Sequence, residues 1–140
     1  MSSPRSGPAE FLTPLRSEKI GAKRILLIDE LVFWSAMLKA VYVVSRGFQS
    51  DLASIPRIAW TVFPPTDIYD PAAVLHDAAY GNAIQLEDST RVYIGKEIAD
   101  NLFREALTAV GVGPIRTWLM YQAVHQFGTP DGHPLASNHP

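Results

Sequence analysis

The spacing of apolar and polar positions changes along the chain from a strand pattern to a helix pattern. Residues 24–28, 31–34 and 40–44 are short runs rich in branched aliphatic and aromatic side chains, and polar or turn-forming positions separate them. Such runs favour strands joined by short connections. Residues 35–39 fit a helical turn as well as a strand, so this region predicts two or three strands.

From Ser54 onward, apolar positions recur at the helical spacing of three and four. Ser54 is expected to cap the first helix. Asp70 is expected to cap the second helix, with Pro71 in its first turn and Gly81 at its end. Residues 83–93 are polar and predict a loop. The four predicted helices comprise residues 54–63, 70–80, 95–110 and 115–127.

Strands followed by helices predict an α+β fold rather than a parallel α/β sheet. We expect a small N-terminal antiparallel β-sheet of two to four strands, followed by a three- to four-helix bundle. An antiparallel helix pair is expected at its centre, because a loop of about a dozen residues allows the third helix to return along the second. Trp60 of the first helix and Trp118, Tyr121 and Phe127 of the last helix are expected in the core.

Both ends of the chain are rich in proline, glycine and small polar residues. Residues 1–15 therefore predict a flexible N-terminal arm and residues 129–140 a flexible C-terminal tail. Residues 16–128 remain as a single globular α+β domain. That length suits one hydrophobic core and is too short for two.

Composition narrows the class of protein. Of 140 residues, 47% are hydrophobic and 19% are charged, which is typical of a folded domain. The net charge is −2 without a basic run, so a nucleic-acid interface is not expected. The chain has no cysteine, which excludes disulfides and zinc–thiolate sites. Asp29, Glu30 and Lys39 interrupt the longest apolar stretch, so no transmembrane segment is expected, and the first ten residues lack a signal-peptide core.

The candidate site lies in the second predicted helix. Residues 72–80 are almost wholly apolar, yet they include His76, Asp77 and Tyr80. Buried polar groups cost free energy unless they are paired, so these three need partners. His76 and Tyr80 are four residues apart and share a helix face, and Asp77 is turned by about 100° from His76. His76 fits a general base, or a core histidine bonded to a backbone carbonyl.

Asp100 lies near the middle of the third predicted helix. In the antiparallel pair it can reach His76 and orient the imidazole as a carboxylate partner, which leaves Asp77 for a cation. Asp51 either caps or pairs locally, or adds oxygen ligands to a Ca²⁺ or Mg²⁺ site with Asp77. Tyr80 is expected to place its hydroxyl on a buried carboxylate. The candidate catalytic residues are therefore His76, Asp100 and Tyr80, and the candidate metal ligands are Asp77 and Asp51.

Three runs of residues in this order carry a resemblance to a known family. They are residues 50–57 (SDLASIPR), 73–80 (AVLHDAAY) and 99–107 (ADNLFREAL). The chain from about residue 25 to 128 resembles the domain of unknown function family 1353 (DUF1353), whose members are small proteins encoded by bacteriophages and prophages. The resemblance implies a phage origin and leaves the activity open.

A second resemblance is local. The pattern of His76, Asp77 and Tyr80 followed by Asp100 is similar to the core of phospholipases A2, particularly the cysteine-free kind in parvovirus capsid proteins. This implies that His76 activates water, Asp77 binds Ca²⁺, Asp100 orients His76 and Tyr80 braces Asp100. Residues 63–69 contain no glycine where those enzymes have a glycine-rich calcium loop. Asp51 or Asp67 would have to replace that loop.

These observations together lead to two expectations. The first is a bacteriophage-encoded virion or tail-associated structural or accessory protein with a His/Asp centre of metal-assisted hydrolase type. The alternative is an active Ca²⁺-dependent, phospholipase A2-like ester hydrolase with His76 as general base. Expected partners are other phage structural proteins bound through the two arms, or further copies of this chain. Such a protein would lie in the host cytoplasm during assembly and then in the virion.

Overall fold

A computed structural model describes residues 5–21, 24–51, 55–62 and 68–128, with the backbone alone for 60–62. The eight strands in chain order are β1 (Glu10–Phe11), β2 (Ser17–Gly21), β3 (Arg24–Leu27), β4 (Leu31–Ser35), β5 (Ala40–Val44), β6 (Gln49–Ser50), β7 (Ile84–Gln85) and β8 (Arg91–Val92). The helices are α1 (Arg57–Val62), α2 (Asp70–Tyr80), α3 (Lys96–Ala109) and α4 (Pro114–Phe127).

The strands form two antiparallel sheets. The larger has the order β1-β4-β5-β7-β8, and the smaller has the order β2-β3-β6. Strand β4 is buried along its whole length, which explains the uninterrupted apolar run at residues 31–34. It pairs with β5 in the register Phe33↔Tyr42. On its other side it pairs with β1, where the Phe11 and Phe33 ring centroids are 4.7 Å apart.

Helix α2 crosses the core, and every residue from Ala72 to Tyr80 is buried. Its four alanines, Ala72, Ala73, Ala78 and Ala79, are buried in the same core cluster as Phe103 and Leu107 of α3. Contacts from Tyr80 to Lys96 and from His76 to Asp100 show that α2 and α3 run antiparallel. Helix α4 packs on α3. The antiparallel pair expected from the sequence is confirmed.

The predicted fold was wrong in its β-structure. Instead of one small N-terminal sheet, there are two sheets of five and three strands. Strands β7 and β8 lie in the predicted loop 83–93 and join the larger sheet through β5. Two-residue strands are too short to show alternation in the sequence. They form because they pair with other strands, and not because of a local propensity. Strand β1 lies within the predicted arm 1–15.

Helix ends and surface also differ from expectation. Tyr69 occupies the N-cap of α2 without a side-chain cap, so Asp70 is the first helical residue, while Pro71 lies in the first turn as predicted. Trp118 and Phe127 are not core residues, since they are 51% and 63% exposed. The buried face of α4 consists instead of Thr117, Met120 and Val124.

Several predicted features lie outside the described residues: the Ser54 cap, the side chain of Trp60, Asp67, and the tail 129–140. No helix within the described part of the chain is both long and apolar enough to cross a membrane.

Candidate functional site

The antiparallel pair of α2 and α3 brings an imidazole against a carboxylate in the core. His76 Nε2 lies 2.7 Å from Asp100 Oδ1, and the Tyr80 hydroxyl donates to the same oxygen at 2.5 Å. His76 and Tyr80 share one face of α2 because they are four residues apart. The contact between His76 and Asp100 that the sequence predicted is therefore confirmed. Their catalytic role stays a prediction.

Lys96 completes this network from the first turn of α3. Its Nζ donates to Asp100 Oδ2 at 2.7 Å, to the Tyr80 hydroxyl oxygen at 3.0 Å and to the Val124 carbonyl of α4 at 2.9 Å. All three ammonium protons have an acceptor. We call His76, Tyr80, Lys96 and Asp100 the polar network, and it links α2, α3 and α4.

Electrostatics hold the Asp100 carboxyl as an anion. Burial opposes its ionisation, but hydrogen bonds from His76, Lys96 and Tyr80 outweigh that effect and lower its pKa. An ionised carboxylate accepts only, so the proton shared with His76 belongs to Nε2. Burial also raises the pKa of Tyr80, with help from Asp100, and the phenol stays protonated.

Burial lowers the pKa of His76 and outweighs the hydrogen bond and charge of Asp100, which raise it. The imidazole is therefore neutral at pH 7, with Nε2 protonated and Nδ1 carrying the lone pair. Its ring packs against Tyr80 and Phe103 at centroid distances of 4.1 and 4.8 Å. Both His76 and Asp100 are 0% exposed.

Asp77 points away from the polar network into a different environment. It lines a cavity of about 220 Å³ with Asp51, and the smaller sheet forms the opposite wall. The Ser50 hydroxyl donates to Asp77 Oδ2 at 2.8 Å, which fixes the carboxylate. We call this space the Asp77 pocket. Its lining residues are Arg24, Phe48, Gln49, Ser50, Asp51, Asp77 and Gly81.

The oxygen-rich lining of the Asp77 pocket suits a hard cation. Two carboxylates, from Asp51 and Asp77, occur beside the amide of Gln49 and the hydroxyl of Ser50. Ca²⁺ and Mg²⁺ prefer such oxygen ligands and often retain water in part of their coordination shell. Among the described residues, no group of three or more histidine, cysteine, aspartate or glutamate side chains is placed to hold a metal. A cation here would therefore depend on two carboxylates and neutral oxygens.

The structure thus divides the predicted site residues between two places. His76, Tyr80 and Asp100 lie in the polar network, and Asp77 and Asp51 lie in the Asp77 pocket. Sequence reasoning missed Lys96. Its signal was the spacing of four residues to Asp100 on one helix, the ordinary spacing of an intrahelical ion pair.

Fold and site together define an α+β protein with a buried His–Asp pair on two antiparallel helices and a carboxylate-lined pocket beside it. The family described as "Protein of unknown function (DUF1353)" matches residues 26–124, which is well over half of the chain. The chain belongs to this family. No curated protein and no solved structure matches it.

Proposed function

We propose that this protein is a metal-assisted ester hydrolase with His76 as general base. The single observation that supports this proposal best is the 2.7 Å contact from His76 Nε2 to Asp100 Oδ1. The residue that follows His76 in the sequence is Asp77, which lines the Asp77 pocket. A neutral imidazole oriented by a carboxylate is the arrangement that general-base hydrolysis requires. The resemblance of these positions in the sequence to the core of phospholipases A2 implies the same roles.

The roles of the residues follow from their protonation states. With Nε2–H fixed on Asp100, Nδ1 of His76 is the nitrogen that would accept a proton from water as the water adds to an ester carbonyl. Because the His76 side chain is 0% exposed, the proposal requires the residues around it to move and admit the water and the ester. Asp100 would then stabilise the imidazolium, and Tyr80 and Lys96 hold Asp100 in place. The same proton then passes to the leaving alcohol, giving an acid and an alcohol. A divalent cation at Asp77 would polarise the carbonyl.

Ester hydrolysis tests this proposal directly. The full chain is assayed on short-chain phospholipid and p-nitrophenyl esters with Ca²⁺, Mg²⁺ or Mn²⁺, and with a chelator. We expect metal-dependent turnover that His76→Gln lowers by about 10²-fold or more, the usual contribution of a general base. Asp77→Asn is expected to remove the turnover that depends on added metal.

His125→Gln is the matched control, because His125 Nδ1 lies 3.8 Å from Asp100 Oδ2 and is partly exposed. This variant should retain turnover within about twofold, and circular dichroism melting verifies that each variant is folded. Absence of turnover by the wild-type chain with all three metals contradicts the proposal.

The complete burial of His76 and Asp100 favours a second candidate, a structural role for the polar network. In that case the network fixes the relative position of α2, α3 and α4, since satisfied buried networks specify one packing arrangement. If the role is structural, we expect the wild-type chain to be inactive. His76→Gln should then lower the free energy of unfolding without altering binding or turnover.

The resemblance to phage proteins supports a further proposal about context. We propose that the protein is phage-encoded and joins a virion or tail through its terminal segments, residues 1–15 and 129–140. Mass spectrometry of purified particles from the encoding phage is expected to detect the chain in fixed proportion to other structural proteins. Its absence from washed particles, with presence in the lysate, contradicts this assignment.

A further inference from the structure

A second cavity lies on the side of α3 opposite to its buried residues. Polar residues of α3 line one side of it, and their spacing of three and four places them on one helix face: Asn101, Arg104, Glu105 and Thr108. Most of the remaining lining comes from Pro8 and Ala9 before β1 and from Met37 between β4 and β5. We call this space the α3 cleft. Its lining residues belong neither to the polar network nor to the Asp77 pocket.

Hydrogen bonds fix the apolar walls of the α3 cleft. The Trp34 indole N–H donates to the Gly7 carbonyl at 3.1 Å, which holds the segment before β1 in place. The Glu105 carboxylate accepts from the Ser35 hydroxyl at 2.7 Å and from the Met37 amide at 2.8 Å, which holds the β4–β5 connection against α3. The cleft is therefore formed before a ligand binds, as is usual for sites that take small ligands.

The α3 cleft contains one cationic and one anionic side chain, which lean to different sides of α3. Glu105 bonds towards β4, whereas the Arg104 guanidinium lies over the Tyr121 ring of α4, with Cζ 5.3 Å from the ring centroid. Across the described ranges of the chain, the Arg104 side chain forms no hydrogen bond or ion pair. Its planar fork of donors therefore suits the two oxygens of a carboxylate on a ligand.

Glu105 and its neighbours on the same helix face retain acceptors for a cationic group. A carboxylate has about four lone-pair sites, of which the bonds from Ser35 and Met37 use two. Asn101 and Thr108 bond backbone carbonyls of α3 through their donors, so Asn101 Oδ1 and Thr108 Oγ1 can each accept. An ammonium group has three donors and no acceptor, which matches Glu105 together with one of these neighbours.

The charge and size of the α3 cleft indicate a zwitterionic ligand of two or three residues. One arginine and one glutamate balance each other, so a ligand with one negative and one positive group complements both. The cleft has a volume of about 560 Å³, within the roughly 300–1,000 Å³ of small-ligand sites. A free amino acid carries both charges on one carbon atom, whereas an extended peptide of two or three residues separates them by about 7–10 Å. The peptide fits two side chains that lean apart better than the amino acid does.

We propose that the α3 cleft binds a short zwitterionic peptide, with its carboxylate on Arg104, its ammonium on Glu105 and an apolar side chain against Met37 and Pro8. Binding requires no metal ion and no covalent step. Because the cleft shares no residue with the polar network or the Asp77 pocket, this inference does not depend on the proposed hydrolase function.

Calorimetry on the full chain tests the ligand class with one peptide in three forms. The probe is alanyl-leucyl-alanine. Its N-acetyl derivative lacks the positive charge, and its C-terminal amide lacks the negative charge. We expect the zwitterion to bind at least about tenfold more tightly than either blocked form, since each blocked form loses a hydrogen bond between charged groups. Arg104→Gln should bind the free acid and the amide equally, and Glu105→Gln should bind the free and the acetylated amine equally.

Arg46→Gln and Glu97→Gln are the matched controls, because they remove the same charges from exposed positions outside the cleft. Each should change the affinity by less than about twofold, since salt screens exposed charges. Circular dichroism melting verifies that every variant is folded. If Glu105→Gln does not fold, because its bonds to the β4–β5 connection are lost, Arg104→Gln and the blocked peptides still decide the proposal.

Three results would overturn the proposal. The first is no binding of alanyl-leucyl-alanine to the wild-type chain at millimolar concentration, or equal affinity for its three forms. The second is an unchanged preference for the free acid in Arg104→Gln, which would place the peptide elsewhere on the protein. The third is free leucine binding as tightly as the tripeptide, because the cleft would then take a single amino acid and not a peptide.

Discussion

Asp100 is the residue on which the polar network depends. Its two carboxylate oxygens accept from His76 and Tyr80 on one side and from Lys96 on the other. A buried carboxylate without such partners would be protonated or strongly destabilising. Each partner therefore contributes to stability by keeping a buried charge satisfied, whatever the site does chemically.

Lys96→Met tests how much one partner of Asp100 contributes to the stability of the folded chain. The change leaves Asp100 buried with one cation fewer, and we expect the free energy of unfolding to fall by about 2 kcal/mol. That figure is below the cost for a fully buried pair, because the Lys96 side chain is 34% exposed. Urea denaturation measures it. Lys19→Met, at an exposed strand position, is the control and should stay within about 0.5 kcal/mol.

The pH dependence of stability tests the protonation states. Folding lowers the pKa of His76, so below about pH 6.5 the unfolded chain binds a proton there that the folded chain does not. Stability should therefore fall as the pH falls from 7.5 to 5.5 in metal-free buffer. Asp100, whose pKa is also lowered, adds a further loss below about pH 4. A His76→Gln chain with the same loss between pH 7.5 and 5.5 would contradict the assignment.

At the scale of elements, the end of α4 closes over the polar network. The Val124 carbonyl accepts from Lys96 Nζ and from the Gly128 amide, so one carbonyl joins α4 to the network. The chain passes Tyr80 closely here: a Cβ at Gly128 would lie 2.5 Å from the Val124 carbonyl oxygen and 2.7 Å from the Tyr80 hydroxyl oxygen. Glycine is therefore required by space, and not by backbone torsion, since its φ is −71°.

Gly128→Ala is expected to lower the free energy of unfolding by about 1–3 kcal/mol, because the added methyl group displaces either the carbonyl or the phenol. Gly113→Ala provides the comparison, since a Cβ there meets nothing within 4 Å. That change should cost less than about 1 kcal/mol, because the added methyl group meets no atom and alanine is only a somewhat poorer N-cap residue than glycine. Equal effects of the two substitutions in thermal and urea denaturation would contradict the close approach at Gly128.

At the scale of the whole molecule, the Asp77 pocket joins the smaller sheet to the helical core. The Ser50 hydroxyl of β6 bonds Asp77 of α2, and the cavity between them contains the candidate cation ligands. A ligand at this position would contact two parts of the folded chain and would not bind the unfolded chain. Such a ligand stabilises the whole domain.

Calcium is therefore expected to raise the melting temperature. At a free concentration 100 times its dissociation constant, it would add about 2.7 kcal/mol to the free energy of unfolding. Asp77→Asn should abolish this gain. Asp29→Asn, an exposed carboxylate outside the pocket, should preserve it. If neither Ca²⁺ nor Mg²⁺ changes the melting temperature of the wild-type chain, the proposal that the Asp77 pocket binds a cation is wrong.

The sequence determined the parts of this protein that depend on local spacing. Helical periodicity located α2, α3 and α4 within a few residues, and the spacing of His76, Tyr80 and Asp100 in an antiparallel pair predicted their contact. These predictions succeeded because helical neighbours are fixed by a repeat of 3.6 residues, which is readable in one chain segment.

Only the tertiary structure decided the rest. Strands β1 and β7 exist because they pair with the distant strands β4 and β5, and β8 joins the sheet by pairing with β7; a two-residue strand has no pattern of its own. The bonds of Lys96 to Tyr80 and Val124 likewise join residues from separate elements, and Arg24 and Asp77 line one pocket from separate elements. Long-range pairing depends on how the elements pack together, so no local pattern in the sequence predicts it.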